Sequence, residues 1–216
     1  MKKPLLQIAL DNLTIEDAIK SAKAVEKYID ILEVGTILIA SEGKKSISAL
    51  KKAFPTKIIC ADGKIADAGN IFAKMFFDEG ADLTTAICAA ETPTVKSIVE
   101  ESKKYKNKEV QIELTSHFTW DQAQEWKDVG ATHAVWHRSR DSQAAGVNWS
   151  QNDIDSIKRL IKIGFKITLT GGITVKDIAF FKGLPIEIFI GGRALRDAPN
   201  PELAAKEFKD EIAKYW

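Results

Sequence analysis

The chain has only two cysteines in 216 residues, Cys60 and Cys88, and they form no Cys-x-x-Cys pair. That spacing and their apolar surroundings suggest buried thiols of a reducing compartment, not a disulfide or a zinc site. An excess of either charge is also missing. Lys plus Arg is 31 and Asp plus Glu is 30, for a net charge of +1 with histidine neutral. A general nucleic-acid binder is therefore not expected, because no broad basic field exists, although a small local anion site remains compatible. No apolar run reaches the ~18 residues of a membrane span. The basic start Met1-Lys2-Lys3-Pro4 is followed by Gln7 and Asp11 rather than the apolar core of a signal peptide. Histidines number three, too few and too scattered for a histidine-rich metal site. With 45% hydrophobic and 28% charged residues, the composition is globular rather than disordered. The expectation is a soluble cytoplasmic enzyme.

β-type and helical runs alternate from end to end. Strands are expected over Leu5–Asp11, Ile29–Gly35, Lys57–Asp62, Leu83–Cys88, Val110–Thr115, His133–His137, Lys166–Thr170 and Glu187–Ile190. Helices are expected over Thr14–Tyr28, Gly43–Phe54, Ala68–Glu79, Thr94–Tyr105, Thr119–Val129, Gln151–Ile163, Thr174–Lys182 and Pro201–Tyr215. Gly80, Gly130, Gly164 and Gly183 follow helical runs, where a positive φ is wanted. Thr119…Gln122, Thr174…Asp177 and Asn200-Pro201 have the form of helix starts. No linker, repeat or composition break divides the chain. Eight β/α units in residues 1–216 predict a single-domain (β/α)8 barrel of the α/β class. A doubly wound open sheet would carry a Gly-x-Gly-x-x-Gly turn after the first strand, and Ala9-Leu10-Asp11-Asn12 stands there instead.

Side-chain parity supports the barrel. Ile8 and Leu10 oppose Gln7, Ala9 and Asp11. Leu32 and Val34 oppose Ile31, Glu33 and Gly35. Val110, Ile112 and Leu114 oppose Gln111 and Glu113, and Ile167 and Leu169 oppose Thr168 and Thr170. The large apolar face should meet the helices and the smaller or polar face should point inward.

In such a barrel the chemistry gathers at the carboxyl ends of the strands. Those ends carry Asp11, Glu33, Asp62 with Lys64, Glu113, His137 with Arg140, Thr170-Gly171-Gly172 and Gly191-Gly192-Arg193. Asp62 and Lys64, two apart, share a face if the strand continues through them. Asp67 falls at the following helix start, where the helix dipole favours a carboxylate in any case. Lys64 among acids should stay protonated, which suits stabilisation of an oxyanion better than Schiff-base chemistry. Glu33 and Asp62 suit a hard cation such as Mg²⁺, with mutual pairing to Lys64 as the alternative. The two glycine pairs after the seventh and eighth strands suit a phosphate, with Arg193 adding a charged fork. His133 and His137 would lie about 13 Å apart on one strand, too far to chelate one metal. His137 is the candidate acid at the mouth, His133 a structural residue, and His117 has no assigned partner. Trp120, Trp126, Trp136 and Trp149 are expected in packing.

Together these segments resemble the 3-keto-L-gulonate-6-phosphate decarboxylases of the orotidine-5′-phosphate decarboxylase suprafamily. The resemblance runs nearly end to end. It is carried by Gln7–Asp11, Glu33–Ile37, Asp62-Gly-Lys-Ile-Ala-Asp-Ala-Gly69, Gln111–Thr115, His137-Arg-Ser-Arg-Asp-Ser-Gln-Ala-Ala-Gly146, Thr170–Gly172 and Gly191–Arg193. The resemblance implies that Glu33 and Asp62 hold Mg²⁺ and that Lys64 stabilises an enediolate. Asp67 would reach into a neighbouring subunit's site, making the working unit a homodimer. Asp11 and Glu113 would orient the substrate, and His137 and Arg140 would deliver a proton. Thr170, Gly171, Gly172, Gly191, Gly192 and Arg193 would surround the phosphate. The implied reaction takes 3-keto-L-gulonate 6-phosphate to L-xylulose 5-phosphate and CO₂, in L-ascorbate catabolism. The related 3-hexulose-6-phosphate synthases, which join the same kind of enediolate to formaldehyde, lack an arginine at the place of Arg140. Gly63 departs from the family's alanine and is expected to loosen the strand end. Ser116-His117 is also unusual.

Overall fold

The computed structural model describes residues 2–115 and 117–216; Ser116 of the unusual Ser116-His117 pair lies outside them. Eight parallel strands close into a barrel in chain order. They are β1 (Leu5–Leu10), β2 (Ile31–Val34), β3 (Ile58–Ile65), β4 (Leu83–Ile87), β5 (Glu109–Leu114), β6 (His133–His137), β7 (Lys166–Thr170) and β8 (Ile186–Gly191). Ring closure comes from β1 against β8, with Gln7 beside Ile190. The predicted (β/α)8 class holds, and each predicted strand is present to within a few residues.

Eleven helices surround the barrel among the described residues. The predicted ones appear as α1 (Ile15–Val25), α3 (Lys45–Ala53), α4 (Gly69–Asp78), α5 (Thr92–Ser102), α6 (Trp120–Asp128), α8 (Gln151–Ile163), α9 (Val175–Ile178, continued by a 3-10 turn) and α11 (Pro201–Tyr215). Three short ones were not expected from the sequence: α2 (Thr36–Glu42), α7 (Arg140–Ala144) and α10 (Arg193–Arg196). All three begin within three residues of a strand's carboxyl end and build the mouth. Thr119 and Gln122 form a reciprocal capping box, as do Thr174 and Asp177. Asn200 caps α11 by accepting from the Leu203 N–H.

Parity sorts the core into two layers. Ile8, Leu10, Leu32, Val34, Ile112, Leu114, Ile167 and Leu169 join the large apolar layer between strands and helices. Inside the barrel a smaller cluster holds Ala9, Ile31, Cys60, Leu83, Val135, Ile188 and Ile190. The polar inward residues Gln7, Gln111 and Thr168 are fully buried above or between them. Both cysteines are buried.

Charged residues at the amino ends of the strands fix their register. Asp30 accepts from the Leu6 N–H and from Lys209, and Asp82 accepts from the Ile59 N–H, Lys51 and Lys108. His133 is held between Glu109 at 2.6 Å and Thr168 at 3.3 Å, the structural role expected of it. That end of the barrel is therefore tied by ion pairs, which leaves the opposite end for chemistry. No helix among the described residues is long and apolar enough to cross a membrane.

Candidate active site

A cavity of about 290 Å³ opens at the carboxyl end of the barrel. It brings together every predicted site residue except Asp67 and Gly191: Asp11, Glu33, Asp62, Lys64, Glu113, His137, Arg140, Thr170, Gly171, Gly172, Gly192 and Arg193 all line it. Gly191 turns its face to Leu195, whose Cδ1 lies 2.6 Å from where a Cβ would stand, so its smallness serves the packing of α10. Asp67 is exposed, outside the cavity, and accepts a hydrogen bond from the Ala68 N–H at 2.7 Å.

The centre of the cavity is a chain of alternating charge. The Lys64 ammonium lies 2.5 Å from Asp62 Oδ2 and 2.8 Å from Glu113 Oε2. The other oxygen of Glu113 lies 2.5 Å from His137 Nδ1. Asp62 also accepts from the hydroxyls of Thr85 (2.7 Å, on Oδ1) and Thr36 (2.7 Å, on Oδ2). Burial alone would neutralise both ends of the ion pair, but proximity outweighs it. Against burial, Asp62 and Glu113 raise Lys64 above the ordinary lysine range. Against burial again, Lys64 and the hydrogen bonds lower Asp62. Lys64 is thus an ammonium, as its acidic neighbours in sequence led one to expect. Glu113 is raised, by burial and by the nearby Asp62 charge.

The route by which Lys64 meets Asp62 differs from simple strand parity. The β3–β4 pairing slips between Ala61 and Ile65, and Lys64 has φ 44°. A left-handed lysine is uncommon and costs energy, which the Lys64 N–H offsets by donating to Thr85 Oγ1 at 2.9 Å. The bulge aims the ammonium into the mouth. At Gly63, next to it, a Cβ would stand 2.3 Å from Phe76 Cε2. The Phe76 ring fills the space a methyl would take, so the missing side chain serves packing.

Glu33 is 8% exposed and accepts from Gln7 Nε2 at 2.5 Å, yet among the described residues it forms no ion pair. Burial and the Asp62 charge push it well above the usual carboxylate range. An uncompensated carboxylate beside a second one, both facing open space, is the donor chemistry of a hard divalent cation. The donor pair fits Mg²⁺, which needs only one or two carboxylates and takes further oxygens from water and ligand. No group of three or more His, Cys, Asp or Glu side chains among the described residues is arranged to hold a metal.

At the rim, Arg140 donates to Asp11 Oδ2 at 2.7 Å, joining α7 to the end of β1 across the mouth. On the β7–β8 side, Gly171 (φ 106°) and Gly172 (φ 69°) are left-handed, a conformation that favours glycine. The following helices α9 and α10 have only four residues each, so they add little of the helix-dipole potential expected there. Arg193 reaches Gln143 Oε1 at 3.0 Å.

Thr36, Thr85, Gln7, Gln111 and Gln143 line the cavity and were not singled out as site residues. Inward parity with Leu83 could have found Thr85, and Gln7 and Gln111 already stood on the inward face. Thr36 and Gln143 lie in the mouth helices, which are too short to show a periodic pattern.

Among known proteins, residues 4–208 match the model of the "Orotidine 5′-phosphate decarboxylase / HUMPS family". The chain belongs to that family. A Mycoplasma pneumoniae protein named "Probable 3-keto-L-gulonate-6-phosphate decarboxylase" is 54% identical over the whole of both chains. A crystal structure of KGPDC from Streptococcus mutans superposes with a TM-score of 0.97, at 40% identity over the whole of both chains. A 3-hexulose-6-phosphate synthase structure also superposes, with a TM-score of 0.89 at 33% identity, over 96% of this chain and 99% of that one. The chain is an enzyme, and the decarboxylase relatives make it a carboxy-lyase.

Proposed function

We propose that the protein decarboxylates 3-keto-L-gulonate 6-phosphate to L-xylulose 5-phosphate and CO₂, using Mg²⁺, as a cytoplasmic homodimer serving L-ascorbate catabolism. The observation that carries the reading is the charge chain Asp62–Lys64–Glu113–His137, set beside Glu33, which forms no ion pair among the described residues, and opposite the glycine turns.

The steps follow from what each residue can do. The glycine turns and Arg193 take the phosphate, whose binding energy fixes the sugar without touching the reacting bond. Asp11 and Glu113 face the sugar from opposite sides of the mouth. Glu33 and Asp62 would hold Mg²⁺, which supplies Lewis-acid stabilisation for vicinal oxygens. When the carbon–carbon bond breaks, its electron pair moves onto the neighbouring carbonyl and CO₂ leaves. The Lys64 ammonium stands where it lowers the energy of the resulting enediolate. Protonation then completes the reaction. His137 is held at Nδ1 by Glu113, leaving Nε2 as the ring atom to give up a proton, directly or through water. Arg140, moving from Asp11, supplies positive charge on that face.

Two features support the homodimer. Asp67 stands outside its own cavity, and the helix it precedes, α4, exposes Ile71 and Phe72. An acid placed there can serve a second subunit.

The test is to mix the protein with 3-keto-L-gulonate 6-phosphate, with and without Mg²⁺, and follow CO₂ and L-xylulose 5-phosphate. Ribulose 5-phosphate with formaldehyde runs in parallel. Mg²⁺-dependent CO₂ release is expected. Robust condensation without decarboxylation would move the protein to the 3-hexulose-6-phosphate synthase reading.

A further inference from the structure

The segment between β6 and α8 makes a set of contacts that the reaction described above does not use. Three consecutive carbonyls, starting from the last residue of β7, face Arg138. Its backbone N–H donates to Thr170 O at 3.3 Å, its Nε to Gly171 O at 3.0 Å and its Nη2 to Gly172 O at 3.5 Å. The peptide bonds are trans, so the N–H of each peptide unit points opposite to its carbonyl. The N–H groups of Gly172 and Ile173, in the two peptide units whose carbonyls the guanidinium holds, therefore point away from Arg138, and both residues line the cavity while Arg138 does not. Successive N–H groups on one side of a left-handed turn form a concave anion site. Arg138 is itself held firmly: its guanidinium lies 4.5 Å from the centre of the Trp149 ring and donates to Val147 O at 3.2 Å. Gln143 links this support to the remaining cation, accepting from Arg193 and donating to Arg138 O at 2.8 Å.

We propose that Arg138 is a positioning residue that shapes the phosphate site from behind, by turning two carbonyls outward and so two N–H groups inward. It touches no substrate. The inference rests on the reading that this end of the cavity takes a phosphate, and it adds the residue that makes the turn bind.

The experiment measures binding of inorganic phosphate and of the phosphosugar by calorimetry, alongside turnover, for wild type, Arg138→Met, Arg138→Lys and Gln143→Ala. Methionine keeps an apolar stem over Trp149, and lysine keeps the charge without the fork that reads two carbonyls. Arg138→Met and Arg138→Lys are both expected to bind phosphate about tenfold or more weakly, with KM raised far more than kcat. Added guanidinium should partly restore Arg138→Met. Wild-type affinity in Arg138→Lys would overturn the proposal, because charge at a distance would then suffice. So would an equal loss of kcat with KM unchanged. If Arg138 variants fail to fold, Gln143→Ala decides: weaker phosphate binding supports the clamp, and unchanged binding refutes it. A wild type that binds phosphate without decarboxylating the sugar would defeat the proposed function and leave this inference standing.

Discussion

Gly63 stands where the family resemblance led to an expectation of alanine, and the packing around it implies that Gly63→Ala is harmful here. The backbone does not object, because Gly63 is not in the left-handed region. The obstacle is the ring of Phe76, with Cε2 at 2.3 Å and Cζ at 2.9 Å from the added Cβ, where carbon atoms prefer about 3.5–4.0 Å. More than 1 Å of movement is needed, yet Phe76 is 2% exposed and packs against Phe72 with ring centres 6.0 Å apart. Overpacking of this kind costs about 1–3 kcal/mol. At roughly 2–4 °C per kcal/mol for a chain of this size, Tm should fall by about 2–12 °C, readable by calorimetry. Phe76→Leu removes both clashing atoms while Cδ2, at 3.5 Å, is already at ordinary contact distance. The double variant Gly63→Ala/Phe76→Leu should therefore be more stable than the sum of the two single changes predicts. A Gly63→Ala variant as stable as wild type, or additive effects in the double variant, would refute the packing argument. Loss of kcat without loss of Tm would mean that β3 yields instead of the ring, displacing Asp62 and Lys64.

Further expectations concern the charges. Lys64→Ala should cut kcat by about 10²–10³ or more, the usual scale for removing an oxyanion donor, measured by CO₂ release; near-normal kcat would refute its role. Arg140→Ala should lower decarboxylation more than any side condensation with formaldehyde, so the ratio of the two rates is the readout. Chelation of divalent ions by EDTA should abolish turnover, and added Mg²⁺ should restore it. Glu109 is pulled down to about 2, first by its hydrogen bond to His133, with Lys166 adding to it against burial. A lowered carboxyl contributes stability that is present above its unfolded value near 4.5 and is lost as pH falls towards 2. With a third of the side chain exposed, the contribution is about 1–2 kcal/mol, so Glu109→Gln should flatten acid unfolding between pH 4.5 and 2. An unchanged acid limb would remove Glu109 from the account.

Strand parity was legible because a barrel strand has two faces with different neighbours. Ile8 and Leu10 met helices, while Gln7 and Glu33 faced inward, as their chemistry required. Reading the carboxyl ends of those strands then located most of the cavity. What escaped was set by irregular backbone. The mouth helix α2 begins directly after Gly35, whose own packing against Asp11 leaves 2.3 Å for a Cβ, and no periodicity in four to seven residues announces such a turn. Thr36 and Gln143 were missed with their helices. The left-handed Lys64 was equally hidden, since its neighbours Gly63 and Ile65 give no sign that the bulge falls on the lysine.

That bulge explains why the site can hold so many acids. Asp62, Glu113 and Glu33 line one small cavity, and among the described residues only Lys64 lies within ion-pairing distance of two of them. In a regular strand a lysine two residues from Asp62 would lie beside it along β3, whereas the kink lets one ammonium bridge β3 to β5. Glu113 then reaches His137 with its other oxygen, so one ammonium organises three groups on three strands. Glu113→Gln tests this directly. It leaves Lys64 paired with Asp62 alone and takes the charge from the His137 contact. If the chain of contacts positions both groups, KM and kcat should both worsen, and the loss in Glu113→Gln/His137→Asn should be far less than the product of the single losses. Fully multiplicative losses would mean that Glu113 and His137 act separately, and the shared carboxylate would be a packing coincidence.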